Sequence, residues 1–405
     1  MPRPVPAPAK ATFGEVFAIG EFRALWIAQI LSVAGDQLAR VALTLLVFDR
    51  TRSALLAAVT FAASVVPTFV GGITLSGLAD RLPRRAVMIA CDLMRVVLVV
   101  VMALSGIPTA ALVVLLFLVT LIGAPFLSAR AALYPDILPG DLYVLGTAVT
   151  ITTVQFAQVV GFAVGGAVVG FFGVRTSLLV DAATFALSAL ITRVWVKSGP
   201  AVRAQGSRGS RVRGSVRAGV RLVFGNPALR TPMLLGWLAA FYNAPPEGVS
   251  APLAATLGGG AVAVGLILAS QALGSSVGMV TFSRLVAPAN RLRWMNPLAV
   301  ASCSVLILFA FRPPLPVALA VLGLSGLLDC FQLPANASFV SAAPPEQRSQ
   351  AFGIAQGGMS LGQGLAMVVA GAAAERFSPS YVIAAFGAVG ALAAIIIAVS
   401  RARTR

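Results

Sequence analysis

Long apolar stretches separated by short polar gaps run along this chain from Phe22 to Ser400. The apolar runs are continuous over about 20 positions, the length needed to cross the hydrocarbon layer as a helix. They lack residue-by-residue alternation, so lipid-exposed barrel strands are excluded and helices remain. The predicted spans are 24–48, 54–79, 86–105, 109–133, 143–171 and 175–195. After a polar stretch come 231–257, 261–283, 294–311, 315–339, 349–374 and 380–400. The expected fold class is an all-α polytopic membrane protein, with twelve transmembrane helices in two six-helix bundles. Its expected divisions are an N-tail 1–21, a first bundle 22–196, a basic linker 197–229, a second bundle 230–400 and a C-tail 401–405.

Composition agrees with that reading. Hydrophobic residues make up 58% and charged residues 11% of 405, and mean hydropathy is +0.93. So little charge does not cover a soluble protein of this length. A net charge of +17 raises the question of nucleic acid, but the arginines flank apolar spans instead of clustering on a soluble fold. Twenty-three of the 30 basic residues lie in the tails, the linker and every second gap. Positive residues stay inside, so both termini and the linker are expected in the cytoplasm and the chain in the plasma membrane. Anionic lipid is the partner these charges imply. Within the linker, Val212, Val216, Val220 and Val223 interleave with Arg213, Arg217 and Arg221. That spacing fits either a helix in the headgroup layer or a flexible basic connector.

Other chemistries lack their equipment. The first twenty residues have no apolar core, so no cleavable signal is expected. Histidine is absent, no phosphate-cradling glycine loop occurs, and Cys91, Cys303 and Cys330 have no metal spacing. Neither an enzyme, nor a metal site, nor a cofactor is expected. A monomer is.

A weak internal repeat supports two related halves. A shift of 206 residues lays Ala129-Arg130-Ala131-Ala132 on Ala335-Asn336-Ala337-Ser338 and Gly165 on Gly371. Two such halves around a midplane cavity form a recurrent plan for alternating-access transport.

Charges within spans mark the candidate site, because an ionised group at mid-bilayer costs about 2.5–3.5 kcal/mol unless it pairs or lines a cavity. Asp36 lies about 20 Å along a helix from Arg23, and Arg40 follows one turn later. The pair reads either as a proton-coupling site, Asp36 alternating between protonation and Arg40, or as a static ion pair at a gate. Asp329, with Gln332 nearby, is a second cavity candidate. Asn243 precedes Pro245-Pro246, which should bend or interrupt its span beside a site. Asp92 and Arg95, one turn apart, are assigned to a cytoplasmic charge clasp with Arg81 or Arg85. Asp181 reads as interfacial.

Two motifs carry a family resemblance. Gly77-Leu78-Ala79-Asp80-Arg81-Leu82-Pro83-Arg84-Arg85 resembles the loop signature of the major facilitator superfamily, with Pro83 where the family usually has glycine. The resemblance implies a clasp in which Gly77 permits close approach and Asp80, Arg81, Arg84 and Arg85 tie the loop down in one conformation. Gly161-Phe162-Ala163-Val164-Gly165-Gly166 resembles the antiporter motif of drug:proton exporters, Phe162 replacing a proline. Gly161, Gly165 and Gly166 also have an ordinary close-packing spacing. Phe22-Arg23-Ala24-Leu25-Trp26, Gly35-Asp36 and Leu179-Val180-Asp181-Ala182-Ala183-Thr184-Phe185 look like the branch with macrolide-efflux and enterobactin-exporter proteins. What this implies is a secondary transporter of the major facilitator fold, driven by the proton gradient without a cofactor. It would export a small amphipathic molecule such as a drug, siderophore or secondary metabolite. The alternative is an importer of a nutrient with the same fold.

Overall fold

A computed structural model describes residues 12–75, 82–197, 212–344 and 347–403. The first half contains α1 (Phe13–Ala18), α2 (Gly20–Thr51), α3 (Ala54–Ala62), α4 (Val66–Thr74), α5 (Arg84–Met102), α6 (Thr109–Ile137) and α7 (Asp141–Trp195). The linker carries α8 (Val212–Gly225). The second half contains α9 (Pro227–Gly248), α10 (Ser250–Thr256), α11 (Ala261–Leu285), α12 (Pro288–Val305), α13 (Leu315–Leu328), α14 (Gln332–Ala342), α15 (Arg348–Ala374) and α16 (Pro379–Arg403). Each predicted span falls mainly on helix where it is described, with turns at 63–65, 103–105 and 249. Nine helical stretches among the described residues are long and apolar enough to cross a membrane.

One of those nine, α7, is two passages. Gly173 has φ 80°, ψ 169°, a conformation open to glycine and strained for other residues. On either side of it the chain meets the same turn of α2. A Cβ built on Gly161 would stand 3.0 Å from Gln37, and one on Gly35 would stand 2.4 Å from Asp181. The chain therefore folds back at Gly173. Arg84–Met102 carries four charges, and Pro227–Thr256 is broken at Val249 (φ −103°, ψ 19°) just past Pro245-Pro246. The four charges keep the first out of the nine, and the polar and proline residues of Pro227–Gly248, Arg230, Asn243 and Glu247 among them, keep out the second.

Two other helices break in mid-course. Pro67, early in α4, has no N–H to continue the helix from α3, and residues 63–65 form a turn. Asp329–Phe331 is a 3-10 segment between α13 and α14, just ahead of Pro334. Both breaks lie against the cavities described below.

The first half packs around two apolar clusters. Phe22, Leu25, Met88, Phe126 and Tyr134 form one at the linker end, and Leu43, Val99, Leu112 and Phe185 the other at the far end. A larger cluster fills the second half around Tyr242, Phe309, Leu322 and Phe331 and reaches Phe61 in the first half. The halves meet closely at the end away from the linker. A Cβ on Gly166 would stand 2.7 Å from the Ala261 carbonyl oxygen and 2.8 Å from Gly265 Cα. Gly371 similarly lies against Ala54 and Leu55. Helix α8 lies on α15, with Gly219 against Ile354 and Val223 buried beside Leu229 and Met233.

Candidate functional site

Three adjoining cavities cross the molecule. The first, about 360 Å3, lies within the first half and is lined by Asp36, Arg40, Arg95, Arg130 and Asp181 among others. The second, about 400 Å3, lies between the halves and is lined by Arg40, Asn243, Glu247, Gln271 and Asp329 among others. Arg40, Ser64, Thr68, Gln155 and Gln158 belong to both walls, so the two chambers share a boundary. Gln356 and Met359 join the second to a third, about 300 Å3, in the second half. The third is mostly apolar, with Trp237, Met279, Phe339 and Phe352.

The charges of the first chamber do not pair as the sequence suggested. Arg95, not Arg40, holds Asp36. Its Nη2 donates to the two carboxylate oxygens at 2.8 and 3.2 Å, and its Nη1 donates to Ser32 Oγ at 3.3 Å. The guanidinium lies over the Phe185 ring, 3.9 Å from its centroid. Asp92 Oδ1 is 3.8 Å from Arg95 Nη1, and Asp92 Oδ2 accepts from the Ser188 hydroxyl at 2.6 Å. The assignment of Asp92 and Arg95 to the cytoplasmic clasp is thus corrected: both point inward. The reason is tertiary. Spacing along α5 shows that the two share a face, but only packing shows that this face meets α2 and the second passage of α7.

Arg40 instead donates from Nη2 to the Ser64 carbonyl at 3.0 Å. That carbonyl is free because α3 ends ahead of Pro67. Arg40 also stands in the fields of Asp36 and of Glu247 from the second half. Asp181, read as interfacial, is fully buried against Gly35, and neither carboxylate oxygen has a hydrogen-bond partner among the described residues.

In the second half Asp329 is the hub. It accepts from Asn243 Nδ2 at 2.8 Å, from Ser302 Oγ at 3.3 Å, from Ser275 Oγ at 3.4 Å and from the Tyr242 hydroxyl. Gln271 in turn donates to Asn243 Oδ1. Asn243 and Asp329, singled out separately, therefore touch. Gln332 lines the third chamber. Glu247, which the sequence reading passed over, accepts from Gln363 Nε2 at 2.9 Å. The rule that found Asp36 also finds it, as an acid within an apolar span one turn beyond Asn243.

The glycines of α7 are packing positions. Gly161 and Gly165 face Gln37 and Leu38 of α2, whereas Gly166 faces Gly265 of the other half. Of the clasp, Gly77, Asp80 and Arg81 lie outside the described residues. Arg84 pairs with Asp136 at 2.5 Å and donates to the Ala132 carbonyl at 2.7 Å, and Arg85 donates to the Arg193 carbonyl. These bonds tie α5 to α6 and α7 within one half.

A helical, multi-pass membrane protein in two halves, with a charged chamber between them and adjoining chambers on either side, is built as a transporter. Comparison with known proteins agrees. The model of the Major Facilitator Superfamily matches residues 25–246 and 246–405, and the chain belongs to that family. It is 24% identical over 367 residues to the multidrug efflux pump Tap of Mycolicibacterium fortuitum, covering 88% of this chain and 90% of that protein. Among solved structures it is similar to a POT family transporter in complex with 5-aminolevulinic acid, with a TM-score of 0.76 at 10% identity over 97% of both chains. The nucleoside transporter NupG gives 0.67 at 16% identity, over 93% of this chain and 98% of that one. At such identities the structural likeness speaks for the fold.

Proposed function

We propose that this transporter exports a small amphipathic compound from the cytoplasm across the plasma membrane, with protons as the driving ion. The observation that carries the proposal is the Asp36–Arg95 pair on the wall of the first chamber. The Arg95 side chain is 6% exposed and that of Asp36 is 28% exposed, so the carboxylate is the more open of the two to the chamber they both line. A proton on Asp36 removes the charge that holds Arg95, and the released guanidinium must find another acceptor, of which Asp92 is nearest. Arg40 and Glu247 give a second charge relation, this one across the halves. Protonation of Glu247 weakens the attraction between halves at the centre. Protonation thus acts on charges that line the same connected chambers in which a substrate would sit, as alternating access requires.

Export as the direction is supported by the Tap relative, an efflux pump by name. The basic linker and tails support a cytoplasmic position for the termini. The energy suffices. One proton descending 100 mV releases about 2.3 kcal/mol, which at about 1.4 kcal/mol per tenfold sustains roughly a fifty-fold gradient.

The test is transport in inverted membrane vesicles. Asp36→Asn should insert normally and lose efflux that depends on the proton gradient; undiminished gradient-driven efflux removes Asp36 from the coupling role. In whole cells an uncoupler should raise the internal level of the substrate. A fall would indicate import.

A further inference from the structure

Among the described residues, the chambers hold one cation without a counter-charge. Arg40 has Asp36 and Glu247 near it, and Arg95 has Asp36 and Asp92. Arg130 has neither. Its Nε and Nη1 are buried without a hydrogen-bond partner among the described residues, and its one ring neighbour is Tyr134, 5.8 Å from guanidinium carbon to centroid. The side chain nevertheless lines the first chamber, next to Thr150, whose hydroxyl shares a hydrogen bond with that of Tyr134 at 3.1 Å. A guanidinium keeps its charge at any physiological pH and offers a fork of donors shaped for a carboxylate.

The acids of the chambers are differently placed. Asp36 is held by Arg95, Asp329 by Asn243, Tyr242 and two serines, and Glu247 by Gln363. Asp181 has free oxygens but is fully buried. The charge left for a ligand is therefore positive. The related half does not repeat it, because the 206-residue shift puts the neutral Asn336 opposite Arg130.

We infer that Arg130 docks the anionic group of the transported molecule, and that the substrate class is an amphipathic carboxylic acid. This deepens the proposed function and rests on its reading of the chain as a carrier of amphipathic compounds. It does not depend on proton coupling or on the direction of transport.

The test is equilibrium binding to the full chain in phosphatidylcholine nanodiscs, without any gradient, with empty discs as the blank. Three matched probes are used: 1-naphthoate, 1-naphthylmethanol and 1-naphthylmethylammonium. Wild type should bind the acid about tenfold more tightly than the alcohol and the amine, the value of one charge-assisted hydrogen-bonded pair. Arg130→Gln should lose that preference while keeping its affinity for the alcohol, and Arg130→Lys should keep part of it. A wild type that does not favour the acid, including one that binds no probe, overturns the inference. So does an Arg130→Gln protein that elutes as wild type and still favours the acid. Loss of naphthoate binding in phosphatidylglycerol discs would make a lipid headgroup the occupant of Arg130, and would also overturn it. Failure of gradient-driven efflux with this preference intact would instead remove the proton-coupling proposal alone.

Discussion

Glu375, just past α15, caps the first turn of α3 across the junction between halves: its carboxylate accepts from the Ser53 hydroxyl at 2.6 Å and from the Leu55 N–H at 2.8 Å. Ser53 is itself the N-cap of α3, accepting from Leu56 N–H, and the first turn contains no acid of its own. The negative charge favoured at a helix N-terminus is thus supplied from 322 residues away. The contact lies at the end away from the linker, where the halves touch.

If this capping helps to hold that end shut, Glu375→Ala should open it. Spin labels at Arg52 and Arg376 should show a short-distance population in wild type and a larger long-distance one in the variant. The Leu55 N–H and then the Ser53 hydroxyl hold the Glu375 carboxyl below its ordinary value. A depressed acid contributes stability that is complete above its unfolded-state value of about 4.3 and is lost as pH falls through the folded-state value. The wild-type distances should therefore hold from pH 8 to about 5 and lengthen only below about 4, whereas the variant should show no such acid transition.

Arg95 answers to two carboxylates, Asp36 and Asp92, so removing it leaves both uncompensated. Arg95→Gln should lower stability by about 3 kcal/mol, the lower range for breaking a buried pair. Adding Asp36→Asn should recover part of the loss. Cys91, Cys303 and Cys330 are all free and buried, so a thiol-reactive fluorophore reports unfolding of each variant directly.

Asp329 satisfies donors from α9, α11 and α12. Asp329→Ala removes the acceptor shared by the Tyr242 hydroxyl and Asn243 Nδ2. Tyr242 and Ser302 keep each other at 2.8 Å and Ser302 keeps the Ser325 carbonyl, so the change should cost about 1–3 kcal/mol, the value of one unsatisfied polar group. Asp329→Asn keeps an acceptor oxygen and should cost less. Thermal unfolding by the same fluorophore separates them; equal losses would show that the charge itself, not the acceptor, is what the site requires.

Gly166 meets Gly265 with no room for a side chain. Gly166→Leu should prevent the halves from approaching at this end, reducing transport at least tenfold with a stability loss of about 1–3 kcal/mol. Labelling of a cysteine placed at Val262, exposed beside Gly170, should rise. Full transport by this variant would mean that the contact is dispensable.

The spans were legible in the sequence because hydropathy depends on nothing beyond the chain's own segment. The breaks were partly legible: Pro245-Pro246 announced the interruption, which came at Val249, the first residue past α9. Asp36, Asp329 and Asn243 stood out because a charge or amide in an apolar run needs a reason. What pairs with what was not legible. The nearest partner of Asp36 along its helix is Arg40, yet the one it takes, Arg95, is 59 residues distant. Arg130 counted as one more flanking arginine at a span end, and only the packed structure shows it facing a chamber. Asp136, which holds Arg84, lay outside any span and attracted no notice.

Helices interrupted near Ser64, Val249 and Asp329 are jointed levers rather than stiff rods. Each joint sits beside a chamber wall, so one arm of a lever can swing while its other arm stays seated in the opposite leaflet. The two mouths of the passage then need not move as a single rigid seesaw, and a molecule can be sealed in from both sides before either mouth opens.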